Sequence, residues 1–504
     1  MIDAKNKKVD LITMLVPFVI VIMLMIVFMI LPNESKTVVS SMRDFFGDTI
    51  GLYYPVLAIS SVACALYVAI KPKYGNIKLG NIDKPAYSNF KWGTMIFTST
   101  MAADIMFYSL IEWALYGAEP HVADMGGMQL WAPTYTLFHW GPLAWGFYVI
   151  LAVCFGFMMH VRKRDRQRFS EACRPILGNR VDRACGKVID IIAVFAVVCA
   201  TATTFSLATP LLTKALGSIF GFDVSTSITI CILLLICLIY TITVLFGVSG
   251  ISKLANICSY LFFALLFYFL FLGGETRYII ETGFQSIGNL AQNFLGMATY
   301  MDPLRENGFA QNWTVYYWAY WLVWCIATPF FIGLISKGRT IRNVVFGSFG
   351  WGLAGTYMSF IVIGNYGLAQ QLKHGVDITG YLNNGGEMYD AILMIFDTIP
   401  LPSIALLLLV VTMIAFYSTT LDSITYVTSS YSYEKISADE EPSRKIRGFW
   451  AILLILLPIA LLFAENSLYS LQGVTIIAAF PVGILLVIII LSFFKDCKKW
   501  LEGK

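Results

Sequence analysis

Long apolar runs alternate with short polar connectors along the whole chain. Runs of spanning length fall near 11–31, 49–70, 92–116, 134–160, 187–213, 224–248, 251–272, 312–336, 341–367, 401–432, 446–464 and 470–494. A helix rises about 1.5 Å per residue, so about 20 apolar residues cross a bilayer core. The pattern predicts an all-α polytopic membrane protein with about twelve transmembrane helices. Residues 275–300 and 380–398 mix polar with apolar positions and read as amphipathic helices outside the membrane core. The first run is too long for the apolar region of a signal peptide. It reads as a retained span, ended by Pro32. No connector is long enough for a separate soluble domain.

Composition sharpens this picture. Of 504 residues, 58% are hydrophobic and 13% charged, where a soluble protein carries about 25% charge. The net charge of +4 is too small to suggest a nucleic-acid partner. Basic residues concentrate in alternate connectors: Lys5, Lys7 and Lys8, then 71–91, 161–168, 337–342, 435–447 and the C-terminus, whereas 117–133 has neither Lys nor Arg. The positive-inside rule then puts both termini in the cytoplasm of a multi-pass cell-membrane protein. Of ten cysteines, all but Cys173, Cys185 and Cys497 lie in apolar spans. Those three belong to cytoplasmic segments, so no disulfides are expected.

Four acids interrupt the spans or their margins: Asp104, Glu112, Asp190 and Asp422. A mid-membrane charge costs about 2.5–3.5 kcal/mol or more, which makes each a functional candidate. Asp190 lies near a helix start, where capping or the helix dipole accounts for it. Asp104, Tyr108 and Glu112 follow i, i+4, i+8 and share one face, with Met101 one turn earlier; interhelical hydrogen bonding is the competing role. In FHWGPLAW, Pro142 removes a donor and Gly141 loosens the turn. A kink there would let Trp140, Trp145 and Tyr148 converge, while His139 reads as a hydrogen-bonded structural histidine. Thr419, Thr420, Asp422 and Ser423 form a compact oxygen set, and Thr201, Thr203 and Thr204 a second. Such hydroxyls can coordinate Na⁺, or bond back to the carbonyl one turn earlier.

The stretch 311–336 is densest in rings. Tyr317, Trp321 and Trp324 are spaced i, i+4, i+7 along one face, flanked by Trp313 and Tyr320. Lipid-facing Trp and Tyr usually stay at the headgroups, yet Trp321 lies about a third of the way into the span. A quaternary ammonium group has no N–H to donate and is held well by ring faces. Aromatic packing between helices is the alternative.

The runs NWTVYYWAYWLVW…GLISKGRTIRN and FHWGPLAW resemble the signature of the betaine/choline/carnitine transporter family. The similarity continues through STMAADIMFYSLIE, SLATPLLT and STTLDS, covering residues 10 to 498. The resemblance implies a twelve-helix transporter whose core is two inverted five-helix repeats (LeuT-like). Residues 1–90 would form a peripheral pair of helices, 91–272 the first repeat, 273–311 an amphipathic connector and 312–504 the second repeat. It implies a homotrimer in the lipid bilayer and a trimethylammonium substrate caged by Trp140, Trp145, Tyr148, Tyr320, Trp321 and Trp324, with Asp104 and Met101 beside them. It also implies a sodium site at Thr419, Thr420 and carbonyls near Met101, and a second at Thr201.

Several positions depart from the family pattern. Tyr320 stands where tryptophan is usual, and no glycine occurs between 94 and 116. Leu115 replaces a tyrosine of the carnitine exchangers, and Val197 replaces the partner of Thr201. Cys258 and Thr328 stand where those exchangers carry an arginine and a methionine that substitute for sodium. Asp104 matches the choline-transporting relatives, where betaine transporters have glycine.

The expected function is import of choline, glycine betaine or carnitine by cation-coupled symport. Na⁺ is the expected coupling ion, H⁺ the other possibility, and no resident cofactor is expected. A cation-independent carnitine-type antiporter is the alternative. A channel is the further class. A membrane-embedded enzyme would need convergent ligands, but the four histidines are dispersed, and no GxxxxGK[ST] loop for nucleotide occurs.

Overall fold

The computed structural model describes residues 2–3, 7–99, 103–246, 251–437, 440–463 and 468–503. Its principal helices, numbered here in chain order, include α1 (Leu11–Ile30), α2 (Tyr53–Ile70), α3 (Asn89–Ser99), α4 (Ala103–Gly117), α5 (Met128–His139), α6 (Pro142–Gly156), α7 (Ala184–Phe220) and α8 (Thr226–Phe246). They continue with α9 (Ile251–Phe267), α10 (Thr276–Thr299), α11 (Tyr316–Trp324), α12 (Thr328–Ile335), α13 (Ile341–Ser359), α14 (Pro402–Tyr431), α15 (Arg444–Phe463) and α16 (Leu468–Glu502). Among the described residues, seven helices are long and apolar enough to cross a membrane, or ten if each of three bent pairs is one span. This is an all-α polytopic membrane protein.

Burial sorts the helices into layers. Helices α4, α6 and α11 are buried almost all round, as expected of elements that touch neither water nor lipid. Around them α1, α2 and α8 turn large side chains outward, among them Leu11, Val19, Val56, Leu235 and Leu238. Their apolar surface suits hydrocarbon.

Two spans that the sequence pattern draws as continuous are broken. Helices α11 and α12 are bent by 50° about Cys325–Ala327. Pro329 explains this break: its ring and missing N–H conflict with the carbonyl of Cys325. Helices α3 and α4, flanking residues 100–102, differ by 65°. The pair 256–272 and α10 turns through 111°, with Gly274 at φ +79° in the corner. The amphipathic character expected over 275–300 belongs to α10, which buries Ile279, Ser286 and Leu290 and exposes Ile280 and Phe284.

Two of the intramembrane acids have other roles than expected. Asp422 is ion-paired and hydrogen-bonded to Arg447 of α15. It ties α14 to α15 and leaves the threonine set, because a buried carboxylate is held most strongly by a cationic partner. Asp190 does not cap α7, which begins at Ala184 with Arg183 as N-cap. Asp190 instead accepts from the backbone N–H of Ser170 (3.0 Å), the Ser170 hydroxyl (2.8 Å) and Arg168 (3.3 Å). Arg168 also reaches Asp10 and the Tyr433 carbonyl, so this knot clamps the N-terminal segment and two connectors together.

Helix α13 approaches α6 closely through Gly352. A Cβ there would lie 2.1 Å from the Trp145 ring, whereas at Gly350 it would meet nothing within 4 Å. Overpacking costs about 1–3 kcal/mol, against about 1 kcal/mol gained from replacing glycine in a helix. Gly352→Ala is therefore expected to lower the thermal unfolding midpoint of the detergent-solubilised protein, and Gly350→Ala to raise it or leave it unchanged. Equal midpoints for the two variants would contradict this packing.

Candidate functional site

The break between α5 and α6 falls at Trp140–Gly141. Pro142 opens α6 without an N–H, and Gly141 is extended there (φ −102°, ψ −157°). This turn aims Trp140 at the same place as Trp145 and Tyr148, one helix further on. The meeting point is Trp321 of α11: its ring centroid is 4.8 Å from Tyr148, 5.6 Å from Trp140 and 5.8 Å from Trp145. The convergence expected from the kink is present. Tyr317, one turn before Trp321, lies 5.7 Å from Trp140.

Phe360 closes the far side of Trp140 at 5.2 Å. Nothing in the sequence singles it out, since it is one apolar residue in an apolar span. The rings touch one another directly. A cation within about 6 Å of each centroid requires them to part.

Tyr320 and Trp324 lie elsewhere than a ring cage would put them. The Tyr320 hydroxyl donates to Asp104 Oδ2 and pairs with the Thr204 hydroxyl at 2.9 Å. Thr204 also reaches Asp104 Oδ2, at 3.3 Å. Tyr320 thus works through its oxygen, and its ring stands back at 6.3 Å from Trp140. Trp324, at 8% exposure, makes no ring contact with the cluster among the described residues. Four of the six expected cage residues meet.

Several buried polar atoms at this centre have no hydrogen-bond partner: Asp104 Oδ1, the indole nitrogens of Trp145 and Trp321, and the Tyr317 hydroxyl. Each unmet group costs about 1–3 kcal/mol. Their gathering at one place fits a ligand with both cationic and polar parts.

Two of the candidate ion ligands, Thr201 and Thr419, are hydroxyls already bonded to carbonyls. Thr201 donates to Val197 at 2.8 Å, and Thr419 donates to Phe416 at 3.0 Å while receiving Cys258 Sγ at 3.9 Å. This is the back-bonding the sequence allows. A hydroxyl that donates its hydrogen still offers oxygen lone pairs to a cation. Thr420 is half-buried beside Thr419. Thr203 pairs with Thr475 at 2.9 Å. Met101 lies outside the described residues.

An intramembrane ring cluster beside a buried acid, enclosed by broken helices, is the arrangement of a small-molecule membrane transporter. The family described as "BCCT, betaine/carnitine/choline family transporter" matches residues 12–501, and the chain belongs to it. The "uncharacterized transporter YeaV" of Escherichia coli (strain K12) is 26% identical over 448 residues, 88% of this chain and 92% of that protein. A "carnitine transporter" of Acinetobacter baumannii is 26% identical over 453 residues (89% and 81%). The "glycine betaine transporter OpuD" of Bacillus subtilis (strain 168) is 28% identical over 476 residues (93% and 90%).

Replacing Trp321 removes the ring the others share. A desolvated cation–π contact is worth about 2 kcal/mol, and about 1.4 kcal/mol is tenfold in affinity. Trp321→Leu is expected to weaken trimethylammonium binding at least about tenfold in equilibrium measurements on folded protein. Wild-type affinity in this variant would move the cage elsewhere.

Proposed function

We propose that this transporter imports a trimethylammonium solute by sodium-coupled symport, and that choline is preferred over glycine betaine and carnitine. The observation that carries the reading is Asp104, buried between Tyr320 and Thr204 with one oxygen unpartnered, beside the convergent rings. Three cation–π contacts of about 2 kcal/mol each amount to about 6 kcal/mol, a Kd of roughly tens of micromolar. Asp104 then decides among solutes that share this head group. At about 4 Å and an effective dielectric of about 20, a second anion would be repelled by about 4 kcal/mol. Betaine and carnitine bring their own carboxylate. Choline brings none, and its charge offsets the cost of burying Asp104.

The family resemblance supports twelve membrane helices, a five-plus-five inverted-repeat core, cytoplasmic termini and a trimer. Alternating access in such a core rocks one set of helices about the midplane site. For coupling, Thr419 and Thr420 supply hydroxyl oxygens, and Cys258 beside Thr419 carries no charge that could stand in for sodium. That argues for sodium over the cation-independent carnitine exchange to which FHWGP and ATPLLT otherwise lean.

Two measurements test the reading. Asp104→Gly is expected to shift relative uptake from choline toward betaine, and an unchanged ratio would remove Asp104 from the substrate. In proteoliposomes, wild-type uptake should require sodium, and Thr419→Ala with Thr420→Ala should abolish that requirement. Equal wild-type uptake in sodium and in choline-free potassium buffer would rule out sodium coupling.

A further inference from the structure

Behind the ring cluster, four side chains make an unbroken hydrogen-bonded line inside the protein. Glu112 accepts the Tyr116 hydroxyl on Oε1 and the Trp140 indole N–H, at 2.8 Å, on Oε2. The Tyr116 oxygen lies 2.6 Å from His139 Nδ1, and His139 Nε2 lies 3.0 Å from the Thr314 hydroxyl. Glu112, Tyr116 and His139 have no exposed surface and Thr314 has 2%. The line joins three elements, α4, α5 and the turn 310–315 that leads into α11.

The number of hydrogens fixes its direction. Tyr116 has one hydrogen and gives it to Glu112, so His139 must donate from Nδ1 to the Tyr116 oxygen. The imidazole Nε2 then accepts from Thr314. The line can also run the other way. A proton arriving at Nε2 releases the Nδ1 proton to the Tyr116 oxygen, and the Tyr116 proton passes to Glu112 Oε1. The result is a neutral carboxyl, the other imidazole tautomer and a reversed phenol, with one proton added in all. His139 on its own reads as a structural histidine, and both of its nitrogens are indeed bonded. Between an acid and two hydroxyls, the same bonds conduct.

We propose that Glu112, Tyr116, His139 and Thr314 form a proton-binding relay that exchanges its proton against the substrate cation by way of Trp140. The proposal rests on Trp140 being a wall of the substrate site. The ionised carboxylate holds the indole N–H by a charge-assisted bond, about twice as strong as the bond to a neutral acid. It also adds a negative charge behind the ring that faces the cation. Protonation weakens both effects, so proton and cation bind antagonistically, and by linkage each displaces the other.

The surroundings leave this role to the cation. Helices α4, α5 and α11 contain no lysine or arginine. The groups facing the line are phenols and acids: Tyr108 bonded to Tyr316, Tyr317 stacked on His139 at 4.8 Å, Tyr135 bonded to His121, and Glu119 bonded to Trp313. Asp104, two turns away on α4, is held by Tyr320. Tyr389 lies against Phe107. Among the charged groups on other elements, Lys214 is paired with Asp390, Lys373 and His374 with Glu275, and Asp422 with Arg447. The relay touches none of Thr201, Thr419 or Thr420, so it is separate from sodium coupling.

The test is choline binding to the purified full-length protein in detergent between acid and neutral pH, with proton release followed by an indicator dye in weak buffer. In the wild type, affinity should fall by up to about tenfold per pH unit below the transition, with up to one proton released per choline bound. Glu112→Gln should bind weakly at every pH and release none, and Tyr116→Phe, which keeps the ring, should move the transition to higher pH. Wild-type slope and proton release in Glu112→Gln would overturn the relay. A second readout is independent of substrate: acidification of the ligand-free protein should produce the infrared carbonyl stretch of a protonated carboxylic acid, absent in Glu112→Gln. If no trimethylammonium compound binds at any pH but this band appears, the substrate site is misassigned and the proton site stands. If the band is the same in both proteins, the relay falls whatever the substrate.

Discussion

Hydrocarbon offers no partner to a peptide group, and each unmet N–H or carbonyl there costs several kcal/mol. The chain is therefore helical wherever it is apolar, and irregular backbone survives only where protein surrounds it. The breaks at Trp140–Gly141 and Cys325–Ala327 both lie among buried residues. Both border the ring cluster: one redirects Trp140, the other ends the helix that carries Trp321. The price of interrupting a helix in a membrane is met here where the interruption shapes a site.

Tyr320 departs from the tryptophan usual in the family, Asp104 differs from the glycine of the betaine transporters, and the fold joins the two. A tryptophan at 320 would take away the hydroxyl that Asp104 accepts, and a glycine at 104 would leave the phenol to the Thr204 hydroxyl alone. Together, Tyr320 and Thr204 satisfy one carboxylate oxygen of Asp104 and leave the other open. One aromatic wall is given up for a fixed negative charge. On the proposed reading, this would change what the site selects more than how strongly it grips the head group that all the candidate solutes share.

Features written in local spacing were legible in the sequence. The depth of Trp321, the kink at Pro142 and the shared face of Asp104 and Glu112 follow from helical periodicity and the chemistry of proline. Features that depend on distant partners were not. Arg447 claims Asp422 from 25 residues away, and Ser170 claims Asp190 from 20. Tyr320 follows the ring pattern in the sequence, yet its oxygen decides its place through an acid 216 residues off. The break after Trp324 is intermediate: Pro329 announces it, but an unbroken apolar run conceals it. Thr314 joins His139 across 175 residues, which no motif spans.

The direct contact among Trp140, Trp145, Tyr148 and Trp321 has a consequence for measured affinity. A ligand can bind only the fraction of molecules whose rings have parted, and its apparent Kd rises in inverse proportion to that fraction. Were this fraction about 1%, binding would be about 100-fold weaker than the cage itself allows. Residues that never touch the solute then set its affinity through this population. Phe360 presses on Trp140 from behind, and Gly352 packs against Trp145. A sequence change at these supports would alter the working concentration range of the transporter while every ring that meets the substrate stayed the same.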